Sequence, residues 1–442
     1  MTHCTMGYCI KTFYVLALTS LILPFALKSQ NAYLDSLAQV VQTDVPDSVK
    51  MKAYSQLIWP NTKINTNYAL ELTADMMKIA RRSDRERWLR QAQYYYAVTY
   101  KNTAEFSKAL PYIDSVYFQS EAVKDTTFMA YASYQKAVIL KEMGLYEEAI
   151  EWANINIAQY RYIQNQASVA MALNAKAGLY RQMKLYSKAI ETYQEAYEIY
   201  LEQQDSVGLA NLYNNLGNVY SEIDSFDLAL VFYNKQEEIN INLNDVSGQG
   251  YCYENRGRLF HRMGRYEDAI ASLRKSIDIR RDLNQNLVLA NSLFQLGSSL
   301  QKVGKIDEAE KHIQEGLFIA DQNGMVDQLR QGYFVLSEIY GMKGNYKQAY
   351  DYHVKQAQLK DSILNSTISE QALRIDALTD YENKEREQKI ALLAAQNEIQ
   401  RLRLNRSRSI LLIALLGITA LTVLSIWIYR SRKKKKKLYQ QL

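Results

Sequence analysis

The chain has 442 residues, 48% of them hydrophobic, with only 4 Pro and 17 Gly, which argues against a strand-and-turn protein and leaves ample apolar surface for helix packing. The net charge of +6 does not describe a nucleic-acid-binding face, because Arg430, Arg432 and Lys433 to Lys437 put seven positive charges into eight residues and the remainder is close to neutral. Three cysteines and four histidines in no ligand spacing, with neither a Gly-rich phosphate loop nor a nucleophile elbow, predict no enzyme: no catalytic residue, no cofactor and no metal.

Residues 1–29 read as an export signal, with Lys11 as the charged start and Phe13 to Leu27 as the apolar run. Pro24, Thr19 and Ser20 make that run a poor membrane span, and cleavage is expected after Ser29; an uncleaved anchor is the alternative. Residues 30–89 are expected to hold N-terminal helices and a worn first repeat. Asp35 to Trp59 forms one or two of these helices, with Asp47 and Ser48 as cap of one ending near Trp59–Pro60. Residues 65–82 form the second helix of the worn repeat, since Ala69 falls in the register described next.

From residue 90 a pattern recurs every 40 residues. An aromatic or Ile stands at Phe106, Tyr146, Tyr186, Phe226, Tyr266, Ile306 and Tyr346, and three residues later Ala stands at 109, 149, 189, 229, 269, 309 and 349. Upstream, a small residue at Ala97, Ala137, Ala177, Gly217, Gly257, Gly297 and Ser337 precedes a large one at Tyr100, Leu140, Tyr180, Tyr220, Phe260, Leu300 and Tyr340. A spacing of three puts a large and a small side chain on one helical face, so each unit has two helices with a close-contact point on each. Gly144, Gly264, Gly304 and Gly344 mark turns between them. Such a unit cannot bury its apolar face alone, but stacked copies can.

These residues and offsets resemble the tetratricopeptide repeat family over roughly residues 50–369. The period of 40 and the absence of a proline closing the second helix depart from the family pattern and fit longer helices. The expected fold is all-α, a tetratricopeptide-type α-solenoid of seven repeats over 90–369. The resemblance implies a right-handed superhelix whose concave face is lined by first helices and grips extended peptides. On that basis the partner-binding groove holds Asn211, Asn214, Asn215, Asn218, Tyr251, Glu254, Asn255, Arg258, His261, Phe294 and Gln295, with Asn291 and Ser298 beside them. Asn215, Asn255 and Gln295 form an amide ladder that can pair with a peptide backbone, and Arg258 can fork onto a carboxylate. The alternative is that the amides bond neighbouring helices or water.

Residues 370–409 lack the repeat and read as a long polar helix with fragments of a heptad, able to pair weakly with a second copy or to stand alone. Residues 410–429 carry no charge, and as a helix span about 30 Å, the thickness of a bilayer's hydrocarbon core. Trp427 and Tyr429 fit an interfacial belt, and the basic tail 430–442 fits the cytoplasmic side. The Lys run is read as a topology and lipid signal, with no nucleic acid as partner. The expected plan is a single-pass protein of a bacterial inner membrane, repeats outside and C-terminus inside. It resembles the sensory half of bacterial repeat-containing sensor kinases and regulators without the output domain. That implies a receptor binding a protein or peptide and acting through a cytoplasmic partner, possible as a homodimer. An assembly scaffold, or the sensory fragment of a sensor histidine kinase, stays open beside it.

Overall fold

A computed structural model describes residues 33–439, and every regular element among them is an α-helix. Helix α1 covers residues 33–42. Hairpins follow: α2 (Asp47–Ile64) with α3 (Thr66–Arg82), α4 (Glu86–Asn102) with α5 (Phe106–Ala122), α6 (Thr126–Glu142) with α7 (Tyr146–Tyr162), and α8 (Gln166–Gln182) with α9 (Tyr186–Glu202). Then come α10 (Ser206–Glu222) with α11 (Phe226–Asn242), α12 (Val246–Arg262) with α13 (Tyr266–Asp282), α14 (Asn286–Lys302) with α15 (Ile306–Gln322), and α16 (Val326–Met342) with the start of α17 (Tyr346–Tyr439). Residues 1–29, read as an export signal, lie outside the described residues. The chain divides into two compact units, one running to Arg374 and one from Ile375.

In the first unit one turn geometry repeats. A residue with positive φ occurs at every twentieth position from Asp84 to Gly344, five times as Gly and nine times as another residue. After α6, Leu145 N donates to Leu140 O and Gly144 N to Lys141 O, both 2.9 Å. After α9 the same pair is Asp205 N to Tyr200 O and Gln204 N to Leu201 O. These two bonds close a helix C-terminus through a left-handed residue and satisfy carbonyls that would otherwise be orphaned. The next residue starts the following helix. Asp125, Asn165, Asp205 and Asp245 accept there from the amides of Phe128, Ser168, Gly208 and Gly248.

The small positions of the first helices receive a large side chain sixteen residues on. A Cβ added at Gly217 would lie 2.5 Å from the Tyr233 ring, at Gly257 2.5 Å from Leu273, and at Gly297 2.4 Å from Ile313. Glycine is required at these three places because the second helix of the hairpin has closed onto the first. Ala109, Ala149, Ala189, Ala229, Ala269 and Ala309 are all fully buried where each hairpin meets its neighbours. Neighbouring first helices touch one another in the pairs α2–α4, α4–α6, α8–α10, α12–α14 and α14–α16, whereas second helices make no contact as extensive with each other. The first helices therefore lie on the inner side of the bend.

One local expectation is overturned. Helix α2 does not end near Trp59–Pro60 but runs through Pro60 to Ile64. Proline removes one helical hydrogen bond; on either side of it, Asn61 Nδ2 donates to Leu57 O and Thr62 Oγ1 to Trp59 O, both 2.8 Å. Asp47 is the first helical residue rather than the cap, and its carboxylate pairs with Arg82.

In the second unit α17 contains a stretch, Leu393–Lys433, that is the one helix among the described residues long and apolar enough to cross a membrane. None of it is buried: Leu411, Leu416 and Val423 all stand open.

Candidate functional site

Among the cavities along the array are three that involve the first helices. One of about 310 Å³ lies against α2, α4 and α6, between Trp59, Lys63, Val98 and Lys101. One of about 190 Å³ lies against α6, α7 and α8. The third, about 150 Å³, is lined from α12 by Arg258, His261 and Arg262, from α14 by Phe294, Gln295 and Ser298, and from α16 by Gln331 and Val335. Five of the residues expected to line the groove thus converge in this third cavity: Arg258, His261, Phe294, Gln295 and Ser298.

Its chemistry follows from its hydrogen bonds. The Ser299 hydroxyl gives its one proton to Gln295 O at 2.9 Å, so at its 2.9 Å contact with Ser299 Oγ the His261 Nδ1 is the donor. That assigns the Nδ1–H tautomer and leaves Nε2 an acceptor. Burial pulls the His261 pKa below its ordinary value, with Lys302 acting the same way, which favours the neutral ring. Gln295 Oε1 is buried and accepts nothing. Arg258 donates to Asn255 Oδ1 at 2.7 Å, also bonds the Tyr233 hydroxyl, and is exposed. Arg262 is committed to Ser221 O and Oγ, 2.7 Å each, and to Asp224 at 2.8 Å. The cavity thus joins an apolar floor, Phe294 and Val335, to two acceptors and a partly free guanidinium.

The other expected groove residues take different roles. Asn255 Nδ2 donates to Asn214 Oδ1 at 2.7 Å, and Asn215 Nδ2 to Asn174 Oδ1 at 3.1 Å. These amides bridge successive first helices one repeat apart, and each nitrogen keeps a second proton. Asn218 Oδ1 accepts from the Tyr233 hydroxyl at 2.8 Å. Asn211 is exposed and Asn291 half-buried. Glu254 is buried, and burial pushes its carboxyl pKa up while Arg280 and Arg258 oppose the shift. Its partner Arg280, fully buried on α13, lies 3.9 Å from it and stacks its guanidinium 3.9 Å over the Tyr251 ring. Phe294 is buried too, because Gly316 and Gly332 close around its ring.

The profile of the tetratricopeptide repeat family matches residues 168–242, 208–282 and 251–322, a stretch that takes in nearly all of α8 to α15. Residues 168–322 of this solenoid are tetratricopeptide repeats. The chain is similar to several solved structures. The apo form of RapI is 14% identical, with a TM-score of 0.51, over 72% of this chain and 98% of that one. A Rap protein complexed with competence and sporulation factor is 15% identical, with a TM-score of 0.47, over 77% of this chain and 99% of that one. Aspartyl phosphate phosphatase F from Bacillus subtilis is 16% identical, with a TM-score of 0.47, over 72% and 94%. No curated protein matches the chain.

Sequence reasoning placed the groove between residues 211 and 298 and missed the first two cavities of the array. The signal for the second was present. The large residue sixteen positions after the small one is Ile113, Tyr193, Tyr233, Leu273 and Ile313 in five repeats, but it is Ala153 after Ala137.

Proposed function

We propose that this protein is a membrane-anchored receptor whose tetratricopeptide array binds an extended peptide segment of a protein partner outside the cytoplasm and acts through a second, cytoplasmic partner. The observation that carries the binding reading is the cavity lined by Arg258, His261, Phe294, Gln295 and Ser298, where a buried Gln295 oxygen lacks a donor beside an apolar floor. A peptide supplies both complements: a backbone N–H for Gln295 and an apolar side chain for Phe294 and Val335. Arg258, with nitrogens to spare, takes a carboxylate on the same segment. Asn215 and Asn255 contribute their remaining amide protons along the same row.

The anchoring reading rests on the apolar helix in the second unit. With an export signal at 1–29, a span at 410–429 and the basic tail at 430–442, the array lies outside an inner membrane and the C-terminus inside. The polar helix 370–409 is then the connection, and a pair of copies along it gives a homodimer whose geometry a bound peptide alters.

The test is selection of peptides from a random library by the full-length protein in detergent, followed by affinity measurement. Arg258→Ala and Ser298→Trp are each expected to weaken the selected peptides tenfold or more while leaving helical content unchanged. Selected peptides that bind both variants as tightly as the parent overturn the assignment of the site.

A further inference from the structure

In five repeats the space beside the small residue of the first helix is filled by a large side chain from the second: Ile113, Tyr193, Tyr233, Leu273 and Ile313, each no more than 1% exposed. In the α6–α7 hairpin both partners are small, Ala137 and Ala153, and a cavity of about 190 Å³ stands there. Its walls include Ala172 and Leu179 of α8, and α6 and α8 are not among the pairs of first helices in extensive contact. A cavity of about 150 Å³ with apolar walls is enough to bind benzene. Gly178, at the register position of Asn218, Arg258 and Ser298, offers nothing to close it, since only the Tyr193 hydroxyl comes within 4 Å of a Cβ built there, at 3.9 Å.

One wall is polar. Asn156 is 1% exposed. Its Nδ2 donates to Ala130 O at 2.7 Å and Ser133 Oγ at 3.1 Å, but its Oδ1 accepts nothing. The amide also lies beside Tyr160, whose hydroxyl pKa burial raises and the amide lowers. An unpaired buried acceptor is costly, so this cavity favours an occupant that carries a donor. Two repeats later the protein holds such an occupant of its own: the Tyr233 ring packs against Gly217 and its hydroxyl donates to the amide oxygen of Asn218.

We propose that the cavity between α6, α7 and α8 binds one phenol ring, which takes the place of the side chain missing at Ala153 and donates its hydroxyl to Asn156 Oδ1. The site lies apart from the Arg258–Ser298 cavity and does not depend on it. The phenol is either a free small molecule or the tyrosyl side chain of a partner.

The experiment uses the full-length protein in detergent and follows saturable binding by titration of p-cresol, p-xylene and N-acetyl-tyrosinamide. Saturable p-cresol binding at least tenfold tighter than p-xylene is expected. It should be lost in Ala153→Leu, which installs the side chain that Leu273 presents to Gly257; Ala153→Val serves as a smaller plug should Leu overfill. Both plugs are expected to raise Tm. N-acetyl-tyrosinamide binding as well as p-cresol identifies a tyrosyl side chain as the source, and p-cresol binding alone identifies a free phenol; both uphold the site. Unsaturable p-cresol binding, or binding equal in parent and plugged variants, overturns it. Equal affinity for p-cresol and p-xylene overturns the role of Asn156.

Discussion

Leu273 and Leu416 are the same residue in the same secondary structure, yet Leu273 is 0% exposed and Leu416 68%. The first sits where two helices of a hairpin close on a glycine; the second sits on a stretch of α17 that stands open. The glycines differ in the same way. A Cβ at Gly257 would strike Leu273, whereas one at Gly417 would meet nothing within 4 Å. The array therefore hides apolar surface by stacking like units, and each unit depends on its neighbours. The apolar run of α17 is long and apolar enough to cross a bilayer core.

The sharpest way to break this contrast is to truncate both leucines. Leu273→Ala removes a fully buried side chain from a close-packed site, which costs about 2–5 kcal/mol. Leu416→Ala leaves the unfolding of the array unchanged. Thermal unfolding of the two variants measures this, and equal destabilisation would mean that the apolar run packs on protein after all. Next in size is a charge in the span. Under the proposed anchoring, Leu416→Arg stands at the centre of the span and costs about 2.5–3.5 kcal/mol of insertion. Fractionation of cells is expected to move part of the protein out of the membrane, while the circular dichroism of the array stays the same. Leu273→Arg does the reverse, unfolding the array without changing which fraction holds the chain.

The two units also differed in how much of them could be read. The all-α solenoid was legible because the packing slots at Ala109 to Ala309 and at Gly217, Gly257 and Gly297 recur at one spacing and are spacing-dependent contacts. Partner positions sixteen residues apart were not legible as a pair, since Tyr233, Leu273 and Ile313 share only size. Pro60 misled because proline costs a helix one hydrogen bond without always ending it, and here the Asn61 and Thr62 side chains bond backbone carbonyls of the same helix. In the groove, sequence register placed Arg258, His261, Phe294, Gln295 and Ser298 together, but not the pairing of Asn215 with Asn174 or of Asn255 with Asn214. Those bonds run between repeats, with an offset of 41, and a count within one helix does not show them.

The turns give a smaller effect. Four of the five turn glycines were visible, but the chain adopts the same left-handed φ at Lys124, Gln164 and Gln204. The geometry is set by helix packing and capping rather than by glycine. At Gly264, where φ is +74° and nothing crowds the Cβ, a residue with a Cβ pays only the left-handed backbone cost of about 1–2 kcal/mol. Gly264→Val is expected to lose that amount and Gly264→Asn much less, as Asn244 and Asn284 hold the same position at φ 54° and 52°. Chemical denaturation of the two variants separates them; a Gly264→Val loss as large as that of Leu273→Ala would mean that the turn is packed rather than open.

Smallest is a dependence on pH that belongs to the array alone. Burial holds the pKa of His261 below its ordinary value, and does the same for His312 although Glu308 and Glu315 pull the other way. A basic group with a lowered folded pKa binds fewer protons folded than unfolded, so its contribution to stability is complete above the ordinary histidine pKa and is lost as pH falls below it toward the folded value. Between pH 8 and 5 the Tm of the array should therefore fall. His261→Gln should flatten part of that fall, and the double variant with His312→Gln more of it, because Gln carries no titratable proton. The His261 ring sits beside the Tyr266 ring, their centroids 5.2 Å apart, and bonds Ser299, so its replacement also costs packing at every pH. The slope rather than the level of Tm against pH is the readout. A slope unchanged by both substitutions would place the titrating groups elsewhere.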